Sequence, residues 1–179
     1  MPHHWAPLLL GCLLTASAAQ AKTEVELAHG AELLAPFKRE LKTALTEGLA
    51  SSPLEAIGAC RLQAPEIAAA HSRDGVRIGR TSHRLRNPAN VAPEWVAPIL
   101  AAYITEASAS GPRAVPLPNG RTGYTEPIFI DAPCLTCHGE AIAPAIATRI
   151  EELYPDDRAV GFRLDDLRGA FWVEFASPK

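Results

Sequence analysis

The sequence predicts an α+β domain in which helices come first and an antiparallel sheet forms the platform. Three observations carry that prediction. Leu27, Ala31, Leu34, Phe37, Leu41 and Leu45 recur every three or four residues, the spacing of an amphipathic helix. Short alternating segments follow later, ending with Phe171, Val173 and Phe175 on one face of a strand. No stretch between them is a linker long enough to make two domains.

Residues 1–21 read as a targeting segment. Leu8 to Leu14 is an apolar run, shorter than the roughly 20 residues that cross a bilayer. Small residues follow it and end in Ala19-Gln20-Ala21, the A-x-A pattern of a leader cleavage site. The expected product is residues 22–179, exported to the periplasm, with no later segment apolar enough to span a membrane. Leu9-Leu10-Gly11-Cys12 resembles a lipobox and gives the alternative, a lipid anchor at Cys12. The apolar run continues past Cys12, which ranks that alternative second.

The elements follow in order. Residues 24–50 form the amphipathic helix. Ser52-Pro53-Leu54-Glu55 is a capping box with Pro at the first helical position, opening a helix that carries Ile57 and Cys60. Ala64-Pro65 is expected to interrupt it, with another helical turn or two from Glu66 to Ser72. Asp74-Gly75 is a turn, and Val76 to Arg80 alternates like a strand. Arg86 to Asn90 is a loop, and a helix from Pro93 to Ala107 should be kinked or divided at Pro98. Gly111 to Gly123 has hairpin character, and Tyr124 to Ile130 reads as a strand leading to Cys134. Ile146, Ile150 and Leu153 mark a last helix, stopped near Pro155.

Composition narrows the function. The chain has 179 residues, 47% hydrophobic and 21% charged, a balance that folds as one domain and excludes disorder. The 17 basic and 20 acidic residues give a net charge of −3 without long runs of one sign. A nucleic-acid binder would show a basic stripe, and none is present. No sustained repeat supports a collagen or a coiled coil.

The chemistry centres on Cys134-Leu135-Thr136-Cys137-His138. The spacing C-x-x-C-H suits covalent haem: two thiols three positions apart reach the two vinyl groups on one porphyrin edge, and the next imidazole swings under the iron. A thioredoxin-type pair would start a helix at Cys134, which Gly139 and Pro144 argue against. A zinc site would need further ligands, and no second C-x-x-C or H-x-x-x-H completes one. One motif implies one haem, with His138 as an iron ligand whose other ring nitrogen donates to a carbonyl or carboxylate.

The opposite iron face is left open by the residues alone. Residues 22–179 contain no methionine, so His/Met ligation of the common cytochrome type is excluded. Cys60, His29, His71, His83 or a vacant position remain. Removal of Cys12 with the leader leaves three cysteines, so Cys60 is a thiol without a structural partner. Arg80, Arg84 and Arg86 are candidates for the haem propionates, since a guanidinium fork suits a carboxylate. Tyr124, Trp95 and Phe129 read as core or haem-wall residues.

These blocks together resemble the exported PAS-like c-type haem domains, found as single-domain bacterial proteins and as sensor modules of histidine kinases. The matching segments are Ala56 to Cys60, Ala64 to Ala68, Gly79 to Ser82, Leu85 to Asn90, Glu126 to Ile128, Cys134 to Gly139, Tyr154 to Asp157, and Leu167 to Ala170. Val96 after Trp95 departs from the family, which often has Glu there. The resemblance implies a PAS-like antiparallel sheet with N-terminal helices packed around one covalently attached haem. It also implies that His138 and Cys60 are the two axial ligands.

A His/thiolate iron favours the ferric state and a low potential. By analogy to the family, the expected role is a redox or small-ligand sensor acting through a separate redox or signalling partner. A diatomic gas is a candidate ligand. Reduction would weaken the bond to Cys60 and shift its helix. The alternatives are a low-potential electron carrier and a peroxidase-like enzyme using His71 or His83. No catalytic residue is assigned, and an enzyme is not the expectation.

Overall fold

Four strands make one antiparallel sheet in the order β1-β4-β3-β2. The strands are β1 (Arg77–Thr81), β2 (Arg113–Leu117), β3 (Arg121–Phe129) and β4 (Leu167–Ala176), accompanied by five helices. The helices are α1 (Gly11–Ser51), α2 (Pro53–His71), α3 (Ala97–Thr105), α4 (Leu135–His138) and α5 (Pro144–Leu153). This computed structural model describes the backbone of residues 11–106 and 111–178, and side chains from residue 19 onward. Residues 1–10 of the expected leader, the Cys12 side chain and Ala107 lie outside the described residues, while the backbone of 11–21 belongs to α1. The α+β class expected from the sequence is the one observed, and no described helix is long and apolar enough to cross a membrane.

The core sits between α1 and the inner face of the sheet. Leu34 and Phe37 of α1 pack with Ile78, Tyr124, Val173 and Phe175, and Phe171 joins their edge. The alternation of Phe171, Val173 and Phe175 therefore delivers the buried face it suggested. Gly30 allows the closest approach, because a Cβ there would fall 2.3 Å from Cγ of Tyr124. Pro36 lies inside α1 without ending it. An interior proline costs about 3 kcal/mol, and burial of its neighbours Leu34 and Phe37 outweighs that.

Ser52 caps α2 as the capping box required, its Oγ accepting from the Glu55 N–H at 3.1 Å. Pro65, expected to interrupt the helix, does not: α2 is continuous from Pro53 to His71. The proline removes a single backbone bond, while Ile67 and Ala68 beyond it pack on the α1 core. Pro98 likewise neither kinks nor divides α3. It falls in the first turn, where its missing N–H has no partner to lose, and the helix begins at Ala97 rather than Pro93.

The turns match their residues. Asp74 and Gly75 both adopt positive φ, 53° and 79°, ahead of β1. Pro118-Asn119-Gly120 joins β2 to β3 as the expected hairpin. On the outer face, α3 packs Ile99, Leu100 and Tyr103 against Ala170. Beside them Glu174 is buried, accepting from Arg77 Nη1 at 3.0 and 3.1 Å and from Trp95 Nε1 at 2.8 Å. A register shift between Ile128 and Phe129 ends the β3–β4 ladder and sends the chain toward Cys134.

Candidate functional site

The segment after β3 is built turn by turn. Asp131 Oδ1 accepts from the Ala132 N–H at 2.7 Å, starting a 3₁₀ turn over Ala132–Cys134. That turn runs into α4, a single helical turn where the sequence reading put no helix. Gly139 stops it, its N–H donating to Leu135 O at 3.0 Å. A Cβ at Gly139 would meet that same oxygen at 2.6 Å, so only glycine fits. One turn sets residues three apart on the same side, which brings Cys134 and Cys137 together.

This turn faces a cavity of about 480 Å³ that extends to α2, β1 and the loop after β1. Cys134, Cys137, His138, Cys60, Arg80 and Arg86 all line it. Burial pushes the Cys137 thiol up, Arg86 pulls it back, and the nearby Cys60 and Cys134 add to the rise. Tyr154 is raised by burial first and then by Cys60, which puts the α2 thiol beside both.

The histidines offered as alternatives to Cys60 are elsewhere. His71 Nε2 lies 3.1 Å from Glu40. His29 stands edge-on to Phe175 at 4.9 Å, and the exposed His83 is edge-on to Phe162 at 5.9 Å. None of the three lines the cavity. Arg84 does not line it either. Its guanidinium stacks 4.1 Å over the Phe162 ring and its Nε donates to Arg158 O at 3.3 Å. Of the aromatic residues singled out, Phe129 lines the cavity, while Tyr124 is core and Trp95 serves Glu174.

His138 donates from Nδ1 to the Ala159 carbonyl at 2.7 Å, the kind of acceptor the sequence reading required. Nε2 then carries the free lone pair. Burial, then Arg168 and Arg86, push the His138 pKa down to about 3 against the pull of the Ala159 bond, so the ring is neutral. Arg168 is the cation the sequence reading missed. It lines the cavity, and burial followed by Arg80 and Arg86 brings its pKa down to about 10.

Three buried side-chain polar atoms lack a partner among the described residues: Thr81 Oγ1, Arg86 Nε and Trp172 Nε1. All three belong to residues lining this cavity. Buried polar groups are ordinarily paired, so their convergence marks a place built for something with acceptor atoms. Guanidinium groups at Arg80 and Arg168 suit carboxylates. Two thiols and an imidazole in one turn suit a porphyrin, so the residues present fit a haem.

The Tll0287-like family model, described as Tll0287, matches residues 14–176. The chain belongs to the Tll0287-like family. Among solved structures, this Tll0287-like chain is similar to the crystal structure of the cyanobacterial heme-protein Tll0287. The identity is 24% and the TM-score 0.59, over 82% of this chain and 94% of that one, a likeness of fold. No curated protein matches. Within the Tll0287-like fold, Arg168 had only one sequence signal, its place beside Gly169-Ala170 at the start of the last strand. Ala159 had none, because a backbone carbonyl leaves no mark in the sequence.

Proposed function

We propose that this chain carries one haem c, linked through Cys134 and Cys137, with His138 and Cys60 as axial ligands. It acts outside the cytoplasm, after cleavage behind Ala21, as a redox or small-ligand sensor. One observation carries the reading: Cys60 on α2 and the Cys134–His138 turn line the same cavity, while His29, His71 and His83 do not. The cyanobacterial relative titled a heme-protein supports the choice of cofactor.

A bound haem supplies a one-electron ferric/ferrous couple. The chain's own residues do the rest. His138 presents Nε2 because Ala159 O holds Nδ1 at 2.7 Å. Arg80 and Arg168 neutralise the propionates in place of Arg84. Cys60, which lines the cavity from α2, would hold the iron as a thiolate, a ligand that favours the oxidised metal over the reduced one. A Cys60 not held by the metal would leave α2 free to shift against α1 or leave room for a diatomic gas, and a separate partner protein would read the change.

The test is co-expression with a haem-attachment system. The purified protein is expected to be coloured and heavier than its processed chain by one haem. Its ferric electron paramagnetic resonance spectrum should be low-spin with thiolate character, lost in Cys60→Ala. Colourless protein of bare mass overturns the haem, and a high-spin, water-ligated ferric spectrum overturns the Cys60 assignment. Thiolate ligation that persists on reduction overturns sensing by Cys60 release and favours a simple electron carrier.

A further inference from the structure

Ala159 is held from several sides. Its carbonyl accepts from His138 Nδ1 at 2.7 Å and also from Arg86 Nη2 at 3.3 Å. The same Arg86 nitrogen donates to Cys137 O at 2.6 Å and to Asp157 Oδ2 at 3.0 Å. The other carboxylate oxygen of Asp157 accepts from the Ala159 N–H at 2.8 Å. Arg86 and Asp157 are only 12% and 8% exposed, so their charges are poorly screened. Ala159 itself is fully buried.

We propose that the Arg86–Asp157 pair positions the Ala159 carbonyl and thereby sets how strongly His138 donates to iron. Arg86 and Asp157 are positioning residues in this role, and for the metal it rests on the haem reading above. A guanidinium sharing the carbonyl with the imidazole makes that oxygen a weaker acceptor. The imidazole then keeps its Nδ1 proton more firmly, and Nε2 is the weaker donor. Weaker donation and a nearby positive charge both favour the reduced metal. Asp157 works against this by neutralising Arg86. The two partners of one ion pair therefore tune the iron in opposite senses.

The experiment is a redox titration of the haem-loaded protein, followed by absorbance. Arg86→Gln is expected to lower the reduction potential and Asp157→Asn to raise it. Each shift should be about tenfold in the oxidised-to-reduced ratio, or ~59 mV for one electron. Arg86→Lys, which keeps the charge, should stay near the parent. An ion pair that merely braces the fold would move both single variants in the same direction, and that result, or no shift, overturns the proposal. Protein that carries no haem overturns the reading of the site but still judges the pair. In that case nitrogen-15 NMR of the His138 ring should show an Nδ1–H whose exchange quickens about fivefold in Asp157→Asn. Exchange unchanged by that substitution overturns the positioning role.

Discussion

Single side chains already separate this chain's acid and base behaviour from that of an ordinary soluble domain. All three of its tyrosines, Tyr103, Tyr124 and Tyr154, are raised above the usual value of 10, with burial as the leading cause in each. Tyr124 is raised further by donating to Glu126 Oε1 at 2.8 Å, and Lys38 of α1 pairs with the same carboxylate. The sign follows from linkage. A group that holds its proton longer when folded contributes stability below its unfolded pKa and loses it as pH rises beyond. Stability should thus fall above pH ~10, by up to about 1.4 kcal/mol per pH unit for each tyrosine involved. Melting temperatures across the alkaline range check this, together with tyrosinate absorbance, which should appear with unfolding and not before. A normal titration near 10 in the still-folded protein would contradict it.

At the level of elements, local signals were legible where short-range chemistry decides the outcome. Ser52 with Glu55, Asp74-Gly75 and the alternation of Phe171, Val173 and Phe175 each named the structure that formed. Ser52→Ala should cost about 1 kcal/mol by removing the cap of α2, seen as a lower denaturant midpoint with an unchanged slope. The prolines misled because a local rule was set against a tertiary gain invisible in sequence. Pro65 is carried by the packing of α2 on α1, and Pro98 falls in the first turn because its helix begins one turn later than the pattern implied. The site divides in the same way. Cys134, Cys137 and His138 fall within one short motif and could be read directly, whereas Arg168 reaches the cavity, and Asp157 reaches Arg86, only through the fold. Arg84 lies off the cavity lining, stacked on the Phe162 face, and a loop residue's direction cannot be read from spacing.

For the molecule as a whole, helices on both faces cover the sheet, but its ends are unequal. β1 has one strand neighbour, β4, and Ile78, Gly79, Arg80 and Thr81 all line the cavity. Ser72 Oγ occupies the outward N–H and C=O of Ile78, at 3.1 and 3.4 Å, but an outermost strand not fully covered is a template on which another copy can pair. Whatever fills the cavity therefore also stands guard over that strand. If the proposed haem fills the cavity, chain produced without it should self-associate at concentrations where the loaded protein stays monodisperse, and light scattering on matched samples would reveal the difference. Loading would then act as quality control, with unfilled copies removing themselves from solution before any partner could meet them.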